Sequence, residues 1–357
     1  MFDLEGPLST VDFAARACQL LGERLGRTDF DLLFKMISKY DDVLVENPRI
    51  LKSVGVEDYQ PGDSLRLLAP LYIYYFTDEE LKKISKENIG LVAGAADTVK
   101  YLKQNNWPIY VISTSYEQFA LSVADVLKIP RKNVFCTSFP ITRLKQESEV
   151  LAKSIRTLVR DILGKFKKEG FDSVLENLNS FFWDNPDAPY PKLMNQISVR
   201  GGERKAVTLN KVCTETHCLQ INVIAVGDSI TDRNMLSAVK ESEGVAISFN
   251  GNKYSVPNAN VAVTSPNLMG VNVIVDKYPH VWSTIEKWSE NFATFRDAPG
   301  TIPDELLSKE LKAYFVKHKF APQIDDLREL SPEQRFKIIQ DQQRMRERVR
   351  GWVGELG

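Results

Sequence analysis

Cysteine is scarce in this sequence: Cys18, Cys136, Cys213 and Cys218 are the four thiols of a 357-residue chain. So few over such a length, with no basic-then-apolar leader ahead of them, exclude a disulfide framework and point to a cytoplasmic protein. Cys213, His217 and Cys218 lie close in sequence, but a zinc site needs a fourth ligand at suitable spacing and none follows. Long apolar runs are also missing. None reaches the roughly 18 to 20 residues that a membrane-spanning helix needs. Charge of either sign is not in excess, since 46 basic and 47 acidic residues nearly cancel, so nothing argues for a nucleic-acid partner. Two local basic stretches, Lys165–Lys168 and Arg344–Arg350, fall in helical patterns and read as solvated faces. Neither an internal repeat nor a low-complexity segment is present.

What is there is enough for two or three packed units, at 43% hydrophobic content. Residues 11–25 have amphipathic helical spacing behind Thr10 as a cap. Helical patterns follow at 29–40 and 64–75, and one at 78–86 opens with Thr77 and Glu80 in capping-box spacing. Beyond residue 90 the pattern alternates. A helix at 94–104 leads to the apolar run Pro108–Ser113, and a helix at 116–127 leads to a short strand at 133–137. Apolar runs recur at 222–227, 244–248 and 260–264, the first two separated by a helix. Continuous apolar runs alternating with helices predict a parallel α/β sheet. Residues 138–200 interrupt it as a charged helical insertion that ends in a proline-rich loop, and residues 279–357 read as helices separated by prolines.

Four segments carry the chemistry. Asp3-Leu4-Glu5-Gly6-Pro7 displays two carboxylates ahead of a turn. Ser113 ends an apolar strand, Lys205 lies near the start of a helix, and Gly227-Asp228-Ser229-Ile230-Thr231-Asp232 follows the strand Val223–Val226. Each of these residue types is also ordinary turn or cap chemistry. Together, at the carboxyl ends of parallel strands, they sit where open α/β sheets bind ligands. The set suits phosphoryl transfer. Asp3 and Asp228 can hold Mg²⁺, Lys205 and Ser113 can hold phosphoryl oxygens, and a carboxylate can act as nucleophile. Without a metal the two carboxylates would repel a phosphate.

These motifs resemble the haloacid dehalogenase (HAD) superfamily of phosphatases and phosphotransferases, most of all its phosphoserine-phosphatase-like branch. Gly227-Asp228-Ser229-x-x-Asp232 is the most specific piece, and the 23-position interval from Lys205 to Asp228 is similar to that of the branch. The helix from Leu91 to Lys103 and the run Pro108–Ser113 also resemble its second motif. The resemblance implies an α/β fold, a Rossmann-like three-layer parallel sheet with a helical cap. The core would comprise 1–9, 90–137 and 201–278, and the cap 10–89. The insertion 138–200, which would be a second lid or a dimer surface, and the helices of 279–357 lie outside the resemblance.

The resemblance further implies roles. Asp3 would be the nucleophile and Glu5 the general acid/base, with the Glu5 carbonyl joining Asp3 and Asp228 on Mg²⁺. Ser113, Lys205, Gly6 and Thr114 would bind phosphate, and Asp232 would hold metal waters or Lys205. Asp12 matches an acidic substrate-binding position of the cap, although a carboxylate at a helix start also answers the helix dipole, the preferred reading. Asn250 would border the site.

Three features depart from the superfamily pattern. Glu5 stands where Asp is usual, and Pro7 stands where Thr is usual, which removes a backbone donor. Only Met1 and Phe2 precede Asp3, so the first strand is clipped or the true start lies upstream. The expectation is a Mg²⁺-dependent phosphatase that hydrolyses a small phosphorylated metabolite through an aspartyl-phosphate on Asp3. Glu5 also occurs in a phosphoserine:homoserine phosphotransferase group, which keeps transfer to an alcohol open. The Asp-x-Glu-Gly-Pro opening is similar to an archaeal group with a hydrogenase-associated subunit, which keeps a non-catalytic, HAD-fold role in a complex open.

Overall fold

The computed structural model describes residues 1–355. Its centre is a sheet of β1 (Val111–Tyr116), β2 (Val134–Thr137), β3 (Ile224–Gly227), β4 (Val245–Phe249), β5 (Val261–Thr264) and β6 (Gln323–Asp326). The N-terminus closes the gap between β1 and β3. Phe2 bridges Val111 on one side and Val226 on the other, both in parallel sense. Its amide donates to the Tyr110 carbonyl at 2.9 Å and its carbonyl accepts from Ile112 N–H at 2.9 Å. Asp3 N–H donates to Val226 O at 2.8 Å. The lateral order is therefore β2, β1, the N-terminal segment, β3, β4, β5, β6, and of these only β6 runs antiparallel.

Strand alternation sorts the core into two faces. Ile224, Val226, Val245, Ile247, Val261 and Val263 join the large apolar cluster on one side. Ala225, Ala246 and Ala262 join a smaller cluster with Leu209, Leu236, Val239 and Ile338 on the other. Small alanines on that face let the helices Glu203–Thr216 and Arg233–Glu241 approach closely. The result is three layers, the Rossmann-like arrangement expected, with helices covering both faces of a mostly parallel sheet.

The helical cap contains the helices Phe13–Arg24, Phe30–Glu46, Pro48–Ser53, Ser64–Tyr75 and Asp78–Glu87. Thr77 and Glu80 form the anticipated capping box. Thr10 does not cap the first helix: Asp12 does, accepting from Ala15 N–H at 2.9 Å, because Thr10 lies in a bend ahead of the helix, where its amide donates to Gly90 O at 2.7 Å. The insertion packs on this cap. Tyr40 Oη donates to Asn179 Oδ1 at 2.6 Å, Trp183 Nε1 donates to Tyr40 Oη at 2.9 Å, and Tyr190 Oη donates to Leu67 O at 2.9 Å.

Two elements differ from the sequence reading. β1 starts three residues later than the run at Pro108 and passes beyond Ser113, which is its third residue rather than its end. The C-terminal region is not all helix. It supplies β6, pinned to β5 and covered by the helix Val281–Asp297, whose buried Trp288 donates its indole N–H to Pro322 O at 2.9 Å. Among the described residues no helix is long and apolar enough to cross a membrane.

Candidate active site

The nucleophile candidate is fixed by a strand-like segment of one bridged residue, Phe2. With Phe2 paired on both sides, Asp3 emerges at the carboxyl edge of the sheet, 2% exposed. The chain then turns back, with Leu8 N–H and Ser9 N–H donating to Leu4 O at 3.0 and 2.8 Å. Gly6 adopts φ +118°, a region that favours glycine, and a Cβ there would lie 2.2 Å from Asp228 Oδ2. Its N–H is already given to Ser9 O at 2.7 Å, so Gly6 contributes room beside Asp228 rather than the phosphate donor expected of it.

Lys205, in the first turn of Glu203–Thr216, is wholly buried. Its Nζ donates to Asp3 Oδ1 and to Asp232 Oδ1, both at 2.7 Å. Asp232 in turn accepts from Asp228 N–H at 3.0 Å and Ser229 N–H at 3.1 Å through Oδ2. It therefore ties the loop after β3 to the lysine, the second of the two placements anticipated for it. Carboxylate oxygens of Asp3, Asp228 and Asp232 lie within 4.8 Å of one another.

This crowding of buried acids shows in their proton affinities. Burial, and next the Asp232 charge, push Asp3 up to about 7. Burial, and next Asp12, push Glu5 up to about 8. Asp228 is raised, again chiefly by burial. Lys205 is held above its usual range: burial pulls it down, but Asp232 and Asp3 outweigh burial together. Glu5 Oε1 accepts from Phe13 N–H at 3.1 Å, so its carboxyl points at the start of the first cap helix beside Asp12. Asp12 thus both caps that helix and faces the site cavity.

A half-open cleft between core, cap and the helix Pro332–Arg350 has a volume of about 90 Å³ and is lined by Asp3, Glu5, Asp12, Thr114, Arg346 and Arg350 among others. A larger hollow of about 620 Å³ lies elsewhere, between β6 and the C-terminal helix, with no member of the carboxylate cluster in its wall. Ile112 N–H on Phe2 O brings Ser113 alongside Asp3 in the sheet. Ser113 is buried, its Oγ accepts from Ser115 N–H at 3.1 Å, and on this stretch of β1 it is Thr114 that lines the cavity. Asn250 is not among the residues that line this cleft. It accepts from Ser265 N–H at 2.9 Å and donates to Ser265 O at 2.7 Å, which clamps the ends of β4 and β5 together.

Sequence reasoning missed two residues. Arg346 and Arg350, assigned to a solvated face, are turned inward. Arg346 Nη1 contacts Asp228 Oδ2 and donates to the Asp228 carbonyl at 3.2 Å, and Arg350 Nη1 lies 3.2 Å from Oδ2. The signal for this was the four-residue spacing of Ile338, Gln342, Arg346 and Arg350, which puts all four on one helix face.

The donor set suits a hard divalent cation. Three carboxylates converge, and Asp228 Oδ1 is buried without a hydrogen-bond partner. Asp3 and Asp228 would hold such an ion.

No match was found among curated protein sequences. Among solved structures, the gene product AF1437 from Archaeoglobus fulgidus matches with a TM-score of 0.69 at 24% identity, covering 100% of this chain and 97% of that one, which shows a shared fold. The family model for haloacid dehalogenase-like hydrolases matches residues 75–274, more than half of the chain, and takes in Ser113, Lys205, Asp228 and Asp232. With that match and the fold agreeing, this chain belongs to the haloacid dehalogenase-like hydrolases.

Proposed function

We propose that the protein is a Mg²⁺-dependent phosphomonoesterase for a small phosphorylated metabolite, working through an aspartyl-phosphate on Asp3. The observation that carries this reading is the convergence of Asp3, Asp228 and Asp232 on Lys205 at the carboxyl edge of the sheet. In the first half-reaction an Asp3 carboxylate oxygen forms a bond to phosphorus as the ester P–O bond breaks. The leaving oxygen takes the proton of Glu5, which burial keeps protonated up to about pH 8. In the second, Glu5 accepts a proton from the water that displaces Asp3. Lys205 balances charge on Asp3 and keeps that carboxylate in place through its second bond to Asp232. A bound Mg²⁺ would neutralise the phosphoryl oxygens as charge shifts between attacking and leaving groups.

One observation favours a second reading, a non-catalytic subunit that keeps the fold. Arg346 already occupies one oxygen of Asp228. A single assay separates the two. The purified protein is incubated with p-nitrophenyl phosphate, with and without MgCl₂, alongside Asp3→Asn. Release of p-nitrophenol that needs MgCl₂ and falls at least about a thousandfold in Asp3→Asn is expected, as for loss of a nucleophile. Equal rates in the variant and the native chain would end the proposed mechanism.

A further inference from the structure

The C-terminal helix Pro332–Arg350 crosses the carboxyl edge of the sheet, and a buried amide is among the groups that hold it there. Gln342 Oε1 accepts from Gly251 N–H at 2.6 Å and from Ser248 Oγ at 2.9 Å, and its Nε2 donates to Ser248 O at 2.9 Å. One turn later, on the same face, comes Arg346, its side chain 3% exposed. Its guanidinium reaches two of its partners thus: Nε donates to Gly354 O at 3.0 Å, and Nη1 meets the Asp228 carboxylate and carbonyl, among other contacts. Arg350 adds a second positive charge, 3.2 Å from the same carboxylate oxygen. The cavity left beneath these arms, about 90 Å³, is well short of the roughly 300 Å³ at which small-molecule sites begin.

Asp228 is thus asked to serve two kinds of positive charge. A divalent ion at Asp3 and Asp228 would stand within a few ångströms of the Arg346 guanidinium. Repulsion at that range and burial exceeds the gain from a single hydrogen bond. We propose that Arg346 is a built-in competitor for the divalent cation at Asp228, so that the ion binds as the arginine leaves the carboxylate. The inference rests on reading Asp228 as a cation ligand. It makes the C-terminal helix a self-inhibiting element whose arm must swing off before the site is charged with metal.

The test uses the full chain and MgCl₂ alone, with no substrate. Isothermal titration should give Arg346→Gln a Mg²⁺ affinity at least about tenfold above the native chain, because a neighbouring positive charge is removed. Asp228→Asn should bind at least about tenfold more weakly, having lost a carboxylate ligand. In the native chain, saturating MgCl₂ should raise deuterium uptake over residues 344–354, as the Arg346 bond to Gly354 O is lost with the swing. An affinity in Arg346→Gln within twofold of native, with Asp228→Asn still weakened, would overturn the competition and leave the catalytic reading standing. Unchanged or lower uptake over 344–354 overturns it as well, and it does not depend on any variant folding. Native affinity in Asp228→Asn would remove both the competition and the cation ligand on which the proposed function relies.

Discussion

At Gly6 the space occupied by one hydrogen atom decides whether the site can close. The residue holds φ +118°, and any Cβ would press into the Asp228 carboxylate, all three of whose outer atoms lie within 2.5 Å of that position. Replacing Gly6 with Ala therefore adds two penalties: a backbone conformation that L-residues avoid, and a collision with a carboxylate that Arg346 holds in place. Gly6→Ala should lower stability by about 2–4 kcal/mol, read as a shifted midpoint in urea at unchanged slope. Turnover should fall with it, because relief comes only by moving Asp228. Native stability in this variant would show that the turn can relax without disturbing the carboxylate. The sequence placed Gly6 correctly at a turn beside Asp3, since Gly-Pro after two carboxylates is legible from local chemistry alone. Its partner Asp228, 222 positions away, belongs to the fold and has no local signature tied to Gly6.

Legibility at the level of elements follows the same division. β3, β4 and β5 were readable because Ile-Ala-Val, Val-Ala-Ile and Val-Ala-Val are buried on both faces and leave continuous apolar runs. β6 was not, because Gln323-Ile-Asp-Asp326 is an edge strand with one buried residue, Ile324, and its polar side chains read as loop. The capping box at Thr77 was readable because both bonds of the motif are local, whereas the inward turn of Arg346 and Arg350 depends on a distant acid. The helix Pro332–Arg350 shows how much a single non-local contact carries. Its amino-acid pattern is polar almost throughout, with Ile338, Gln342 and Arg346 as its buried residues. Gln342→Leu keeps the bulk and removes three hydrogen bonds, leaving Gly251 N–H and Ser248 O buried without that partner. A loss of about 2–4 kcal/mol in urea unfolding is expected from two unsatisfied backbone groups. A loss below about 0.5 kcal/mol, the scale of an ordinary surface change, would mean the helix is held by its other contacts.

Across the whole molecule, the helical cap and the sheet meet beside Lys205. The cap loop at residues 58–64 lies against the core loop at 200–205, and the closeness is steric as well as polar. A Cβ at Gly201 would lie 1.9 Å from Pro61 O, and one at Gly62 would lie 2.7 Å from Thr114 Cγ2. Across this seam Arg204 donates to Asp63 Oδ1 at 2.7 Å and to Asp58 O at 2.6 Å, while Gln60 Oε1 accepts from Glu203 N–H at 3.0 Å. Asp63 is fully buried, with Arg66 Nη2 at 3.3 Å as its second cation. If the proposed function holds, a cleft of about 90 Å³ must widen to take its substrate, and parting of this seam is one way to widen it. Arg204→Met keeps the aliphatic stem and removes the ionic tie, leaving Asp63 with Arg66 as its remaining cation and Gln60 N–H as a hydrogen-bond donor. Because Arg204 is one-quarter exposed, the cost should be about 2 kcal/mol rather than that of a fully buried pair. Hydrogen exchange resolves where the cost falls. Amides of residues 58–66 should exchange at least about tenfold faster in the variant, while β3, β4 and β5 keep their native protection, because the cap opens without unfolding the sheet. Equal loss of protection in cap loop and strands would instead mean that the two bodies unfold as one unit, and the seam could not serve as the route by which substrate reaches Asp3.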